Sequence, residues 1–167
     1  MAVQPVRDRP GGVYWSPDTE PALPWRWARQ RLERARGYWV STTRPDGRPH
    51  ARAVWGVWLD DAFWFESHSI ARNLDADPRI CVHLEGADEV VILEGSAERI
   101  TDDADKQRFI DALNPKYQWS WKVENAGNVF RLRPAVAFGW ISDNSGSDAG
   151  SLFGVTGTRW RFEPDPG

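Results

Sequence analysis

The feature that most constrains the fold lies between Tyr38 and Glu66, where short runs of aromatic and β-branched residues alternate with tight-turn signals. Tyr38-Trp39-Val40-Ser41-Thr42-Thr43 runs into Pro45-Asp46-Gly47, whose fixed proline φ and permissive glycine favour a reversal. The chain returns through Pro49 to Leu59, turns again at Asp60-Asp61 and continues as Phe63-Trp64-Phe65-Glu66. Three antiparallel strands in series are expected. A parallel pair would need a crossover of roughly a dozen residues or more. None fits between these runs, so a Rossmann-type sheet is excluded by pattern.

The same reading extends along the chain. Pro24 to Ala35 places Trp25 and Leu32 at helical spacing among Arg and Glu, with Pro24 suited to a first turn. Ser69 to Asp77 reads as a short helix capped by Ser69 and ended by Asp77-Pro78. Arg79 to Leu84 and Glu89 to Ile100 alternate as strands, with Gly95 a candidate bulge. Thr101-Asp102-Asp103 supplies an N-cap and acidic first turn for a helix over Ala104 to Leu113, expected to stop at Asn114-Pro115. Val129 to Arg133 and Ala135 to Ile141 read as strands flanking Pro134; a loop over Ser142 to Gly150 and a last strand near Arg159 to Phe162 follow. Residues 1–23 are expected to be an extended N-terminal arm and 24–167 a single domain. The whole is expected to be mainly β with a few helices, an antiparallel barrel that is closed or nearly so.

Charge and composition narrow the function classes. With 21 basic against 24 acidic side chains the net charge is −3, which gives no field for a phosphate backbone, so nucleic acid is not an expected partner. No apolar run is long enough to span a bilayer, and the N-terminus lacks a secretory pattern. A single cysteine, Cys81, forms no internal disulfide, and a cytoplasmic location is expected. His50, His68 and His83 lack metal-ligand spacing, and no Walker or dinucleotide glycine loop is present. The 11 Trp suit core and interface packing first, with stacking on a planar ligand a secondary use.

One constellation has chemical promise: Arg52 on the second strand, Ser67 and Ser69 after the third, and the start of the helix carrying Arg72 and Asn73. Helix-terminal amides, hydroxyls and guanidinium groups together form a candidate anion site, with a planar ring lying along Val54 and Trp55. From spacing alone the better reading is that Ser69 is a cap, Arg72 a solvated helix residue and Asn73 a backbone cap.

The ordered set Tyr38 to His50 (YWVSTTRPDGRPH), Val54-Trp55-Gly56-Val57-Trp58, Ser69 to Leu74 (SIARNL), Asp77-Pro78-Arg79 and Val90 to Gly95 (VVILEG) resembles the pyridoxamine 5'-phosphate oxidase-like split β-barrel family. The resemblance covers about residues 24 to 115, with a further likeness at Thr158 to Phe162. It implies a six-stranded antiparallel split β-barrel, a homodimer, and two cofactor sites at the subunit interface for FMN or the deazaflavin F420; a few related barrels bind haem. Carried over, Arg52, Ala53, Val54 and Trp55 would line the cofactor, Ser67, Ser69, Arg72 and Asn73 would surround its phosphate, and the partner subunit would complete the pocket through Trp119, Trp121 or the last strand. No catalytic side chain is implied, because the cofactor carries hydride chemistry. Trp55, Trp58 and Trp119 are candidates for a wall over the substrate.

The sequence departs from the pattern where relatives carry a basic pair, here Ser69 and Ile70. Each lost charge-assisted hydrogen bond costs roughly 1.5–3 kcal/mol. FMN is therefore disfavoured slightly against F420, whose tail can reach Arg36 or Arg48. The leading expectation is an F420- or FMN-dependent oxidoreductase acting on a small unsaturated or aromatic molecule. The alternative is a non-catalytic cofactor carrier or ligand-binding barrel.

Overall fold

A computed structural model describes residues 4–10, 23–143 and 152–162. Residues 1–3 and 11–22 of the expected arm, and 144–150 of the expected loop, lie outside them. The elements run β1 (Val6–Asp8), α1 (Trp25–Arg34), β2 (Tyr38–Thr43), β3 (Pro49–Val54), β4 (Gly56–Leu59), β5 (Ala62–Glu66), α2 (Ala71–Ala76), β6 (Arg79–His83), β7 (Glu89–Ile100), α3 (Asp103–Tyr117), a 3-10 turn at Val123–Asn125, β8 (Val129–Ile141), α4 (Leu152–Thr156) and β9 (Thr158–Arg161).

All strand pairs are antiparallel. The main path is β1-β9-β8-β7-β6-β2-β3, and β5 joins β8 while carrying β4 on its other edge. The barrel does not close, because β3 and β4 are consecutive in sequence yet pair with different strands. Counting β3 and β4 as one bent strand leaves the six-stranded split barrel that the resemblance implied, mainly β with a few helices as the pattern led one to expect. The outer pair β1 and β9 is added along one end of β8.

The strand expected over Pro49–Leu59 is thus two strands broken at Trp55, and the expected three-strand meander is two hairpins. Gly56 makes the crossing possible. A Cβ on it would meet the Phe63 ring at 2.5 Å and the Trp64 carbonyl at 2.6 Å, closer than any side chain tolerates. The second hairpin closes on Asp60 and Asp61, both left-handed (φ 52° and 54°), the geometry that suits the strand twist.

Strand β8 is a single strand through Pro134, where two strands were expected. The register slips there: Glu94 faces Val136 and Gly95 faces Pro134, so Ala135 is the extra residue. A bulge near Gly95 is present, but β8 carries the extra residue. It falls where β8 exchanges neighbours, β5 pairing through Leu132 and β9 from Val136. Proline is tolerated because no ladder bond is required of its nitrogen at that exchange.

Helix α3 runs to Tyr117, past Pro115, where a stop was expected. Pro115 and Asp111, whose carbonyl loses its partner, are both on the solvent face, while Phe109, Ile110, Leu113 and Tyr117 continue the buried stripe. Asp102 caps the helix by accepting from Asp105 N at 3.0 Å, as read from sequence. One apolar core fills the barrel beneath α1 and α2; a second lies between α3 and the β4–β5 hairpin. No helix among the described residues is long and apolar enough to cross a membrane.

Candidate functional site

The β2–β3 register decides which way the candidate residues face. Tyr38 pairs with Val54, Val40 with Arg52 and Thr42 with His50. Directly opposed residues share a face, and Tyr38, Val40 and Thr42 are buried. Arg52, Val54 and His50 therefore stand on the core-facing side, but β3 has only β2 as neighbour, so Arg52 is exposed at an open edge. Ala53 pairs with Trp39 and lies on the outer face, apart from Arg52 and Val54. Trp55 sits at the break itself and is 60% exposed.

The other side of the seam comes from the segment between β5 and α2. Ser67 and Ser69 place their hydroxyls 3.3 Å apart, and Ser67 N donates to Asn128 O at 3.0 Å. Asn73, 8% exposed, donates through Nδ2 to Thr42 Oγ1 at 2.9 Å and approaches His50 Nδ1 at 3.3 Å. It ties α2 to the face that carries Arg52. Arg72 is exposed on α2. Neither Arg52 nor Arg72 is paired with a carboxylate among the described residues.

Two details of the expectation fail. Ser69 does not cap α2: the cap position is Ile70, without a side-chain bond. The six-residue helix also turns Asn73 N to Ile70 O at 3.0 Å, so that amide is not offered to a ligand. Ile70 is completely buried, so its side chain offers nothing to an anion. The loop is braced instead by His68, whose Nδ1 lies 3.1 Å from Asn128 Nδ2, and by Arg99, which binds Asn128 and reaches Asp75 at 2.6 Å.

A group missed by the sequence reading holds the break from behind. Tyr117 Oη accepts from Gly56 N at 3.1 Å and lies 2.9 Å from Gly56 O; Lys116 Nζ donates to Gly56 O at 3.0 Å and to Tyr38 Oη at 2.7 Å. Burial, and then the Arg36 charge, brings the Lys116 ammonium down to about 8. Burial likewise raises both phenols above their ordinary value, Tyr38 further than Tyr117. The missed signal was the 109-110-113-117 apolar spacing, which runs on through Pro115.

Rings complete the picture. Tyr117, Trp119 and Trp121 stack in sequence with centroids 4.9 and 5.1 Å apart, and Trp55 meets Trp119 edge-on at 5.1 Å and 84°. Trp119 thus reaches Trp55 within one chain. Trp58 does not join them; it packs 5.9 Å from Trp25 on the α1 side. Among the described residues no three His, Cys, Asp or Glu gather as metal ligands. Two grooves lie elsewhere, one of about 520 Å³ on the outer face by Ser41, Cys81 and Glu94, and one of about 480 Å³ by Arg34, Arg36 and Asp88.

The pattern of pyridoxamine 5'-phosphate oxidase matches residues 27–141, which is most of the barrel. The chain belongs to this family. No curated protein matches its sequence. Among solved structures, a conserved hypothetical protein of Mycobacterium tuberculosis is 21% identical with a TM-score of 0.66, covering 83% of this chain and 96% of that one. An F420 reductase is 23% identical (TM-score 0.54; 65% and 93% covered), and a heme-binding protein of Mycobacterium smegmatis is 25% identical (0.53; 68% and 52%). Solved structures of such different description share this fold, so the seam's own residues must carry the functional argument.

Proposed function

We propose that the protein is an F420- or FMN-dependent oxidoreductase, F420 slightly favoured, acting on a small unsaturated or aromatic molecule. The observation that carries this reading is the seam at Trp55. There Arg52, a guanidinium with no carboxylate partner among the described residues, stands on the core-facing side of an edge strand, next to an exposed indole and across from hydroxyl and amide groups tied to the same sheet. A long planar cofactor with an anionic tail fits such a cradle, the ring against Val54 and Trp55 and the anion toward Arg52, Ser67, Ser69 and Arg72. Asn73 is already committed to Thr42 and His50, so its part is to hold the wall in place. The bound cofactor would supply the hydride step, and the chain's residues would position it and exclude water.

The reading includes a homodimer. On the outer face Trp39, His83, Ile92 and Phe138 lie opposite one another across β2, β6, β7 and β8, all of them partly exposed. This half-covered row suits a second copy, which would also shelter the open edge of β3. A mass of twice 19.0 kDa by light scattering is expected.

A non-catalytic cofactor-binding role is favoured by one observation: Ile70 is a core residue, so the anion has fewer cationic partners than a basic pair would give. Side-by-side titration of the purified protein with F420 and FMN, followed by steady-state reduction assays, tests both readings. Binding with turnover supports the enzyme, binding without turnover the carrier, and binding of neither overturns both.

A further inference from the structure

Charge also gathers away from the seam. Strands β2 and β6 pair as far as Trp39 and His83 and part beyond them, β2 leading back to the end of α1 and β6 into the turn toward β7. Between these two runs lies a groove of about 480 Å³, a size within the roughly 300–1,000 Å³ of small-molecule sites. One wall carries Arg34 and Arg36, the other Glu85 and Asp88, all four exposed. Arg31 and Glu89 form an ion pair where α1 meets β7, but none of the four is paired with an opposite charge among the described residues. Guanidinium groups and carboxylates thus border one space without meeting across it. Arg36 is held in place there, its guanidinium 5.5 Å from the centre of the Tyr117 ring and donating to Lys116 O at 3.4 Å. Gly37 and Gly86 also line the groove, and a Cβ on either would meet nothing within 4 Å, so the space over their bare backbone is open.

We propose that this groove binds the zwitterion of a short peptide, its carboxylate received by Arg34 and Arg36 and its ammonium by Glu85 and Asp88. The distribution of charge decides the class. A planar guanidinium matches a carboxylate with two parallel bonds, and carboxylates accept from an ammonium. An anion alone would stand beside Glu85 and Asp88, and a cation alone beside the arginines, so each is penalised by one wall. A ligand with opposite charges at its two ends is attracted by both. The extended backbone between those ends can lie over Gly37 and Gly86. This site shares no residue with the proposed cofactor cradle.

The test uses the full chain, labelled with nitrogen-15, and three probes of one length: triglycine, N-acetyltriglycine and triglycinamide. The amide signals of Gly37 and Gly86 report occupancy of the groove. Triglycine is expected to shift both saturably, and each capped probe to bind roughly tenfold or more weakly, since each has lost one charge-assisted contact. Arg34→Gln should weaken triglycine several-fold and leave triglycinamide nearly unchanged; Glu85→Gln should weaken triglycine and leave N-acetyltriglycine nearly unchanged. Both changes are at exposed positions, and circular dichroism checks that the variants fold. Gly86→Leu, at a residue without a left-handed φ, should fill the space and abolish binding. Absence of saturable shifts at Gly37 and Gly86, equal or tighter binding of either capped probe, or triglycine affinity unchanged in both charge variants would overturn the proposal. The F420 and FMN titrations bear on other residues, so the two claims fall separately.

Discussion

The hydroxyl of Tyr117 lies within hydrogen-bond distance of both backbone polar atoms of Gly56, 3.1 Å from its nitrogen and 2.9 Å from its oxygen. Gly56 opens β4 opposite Phe65, and on the edge of β4 that has no strand neighbour its N–H and C=O bond to side chains from the end of α3 instead of to a strand. Trp55 owes its fixed position to that replacement.

Removing the hydroxyl should therefore be costly although only one atom is lost. Tyr117→Phe leaves the Gly56 N–H without its side-chain acceptor and should destabilise the fold by about 1–3 kcal/mol in urea denaturation. Gly56→Ala should cost at least as much, because the new methyl would face the Trp64 carbonyl, a backbone atom that cannot rotate away. Unchanged midpoints in both variants would contradict the account of the break.

Lys116 gives the clamp a pH signature. Its folded value of about 8 lies below the ordinary 10.5, so between those values the unfolded chain binds more protons and stability rises with pH. The depressed value means that the charged form is disfavoured in the fold, a penalty fully present below pH 8 and relieved as pH climbs toward 10. Above that, the buried phenols of Tyr38 and Tyr117 act in the opposite sense, since unfolded tyrosines ionise first. Urea midpoints from pH 7 to 10 should show the natural protein gaining on Lys116→Met across this window; parallel curves would refute the assignment.

Asn73 and Arg72 are neighbours with separable roles. Asn73→Ala removes the donor to Thr42 and the contact with His50, and should destabilise by about 1–3 kcal/mol. Arg72→Ala, at an exposed site, should change stability by under about 0.5 kcal/mol and weaken cofactor binding instead. Thermal melts and titrations on both variants separate the two effects.

The hairpins, the long β7 and the cap at Asp102 were legible because turn chemistry and alternation are local signals. What sequence could not show was partner exchange. Pro49 to Leu59 reads as one strand because nothing local says that β3 and β4 pair with different neighbours, and the sign was the close approach at Gly56. The Ala135 bulge is hidden for the same reason: β8 is one strand to its own backbone and two strands to its neighbours. Reading Pro115 as a stop follows local propensity rather than the buried stripe and leaves Lys116 and Tyr117 out of the candidate site, while Trp119 enters it through the resemblance. Arg52 was found by residue type alone; its exposure on a core-facing position needed the register.

The seam as a cofactor cradle is tested most directly by titrating F420 and FMN into the natural protein and into Arg52→Ala, with circular dichroism confirming that both are folded. The account predicts that one cofactor binds the natural protein and that the variant binds it roughly tenfold to a hundredfold more weakly, the loss of one charge-assisted contact. Equal affinity in the two proteins, or no binding to either, would contradict it.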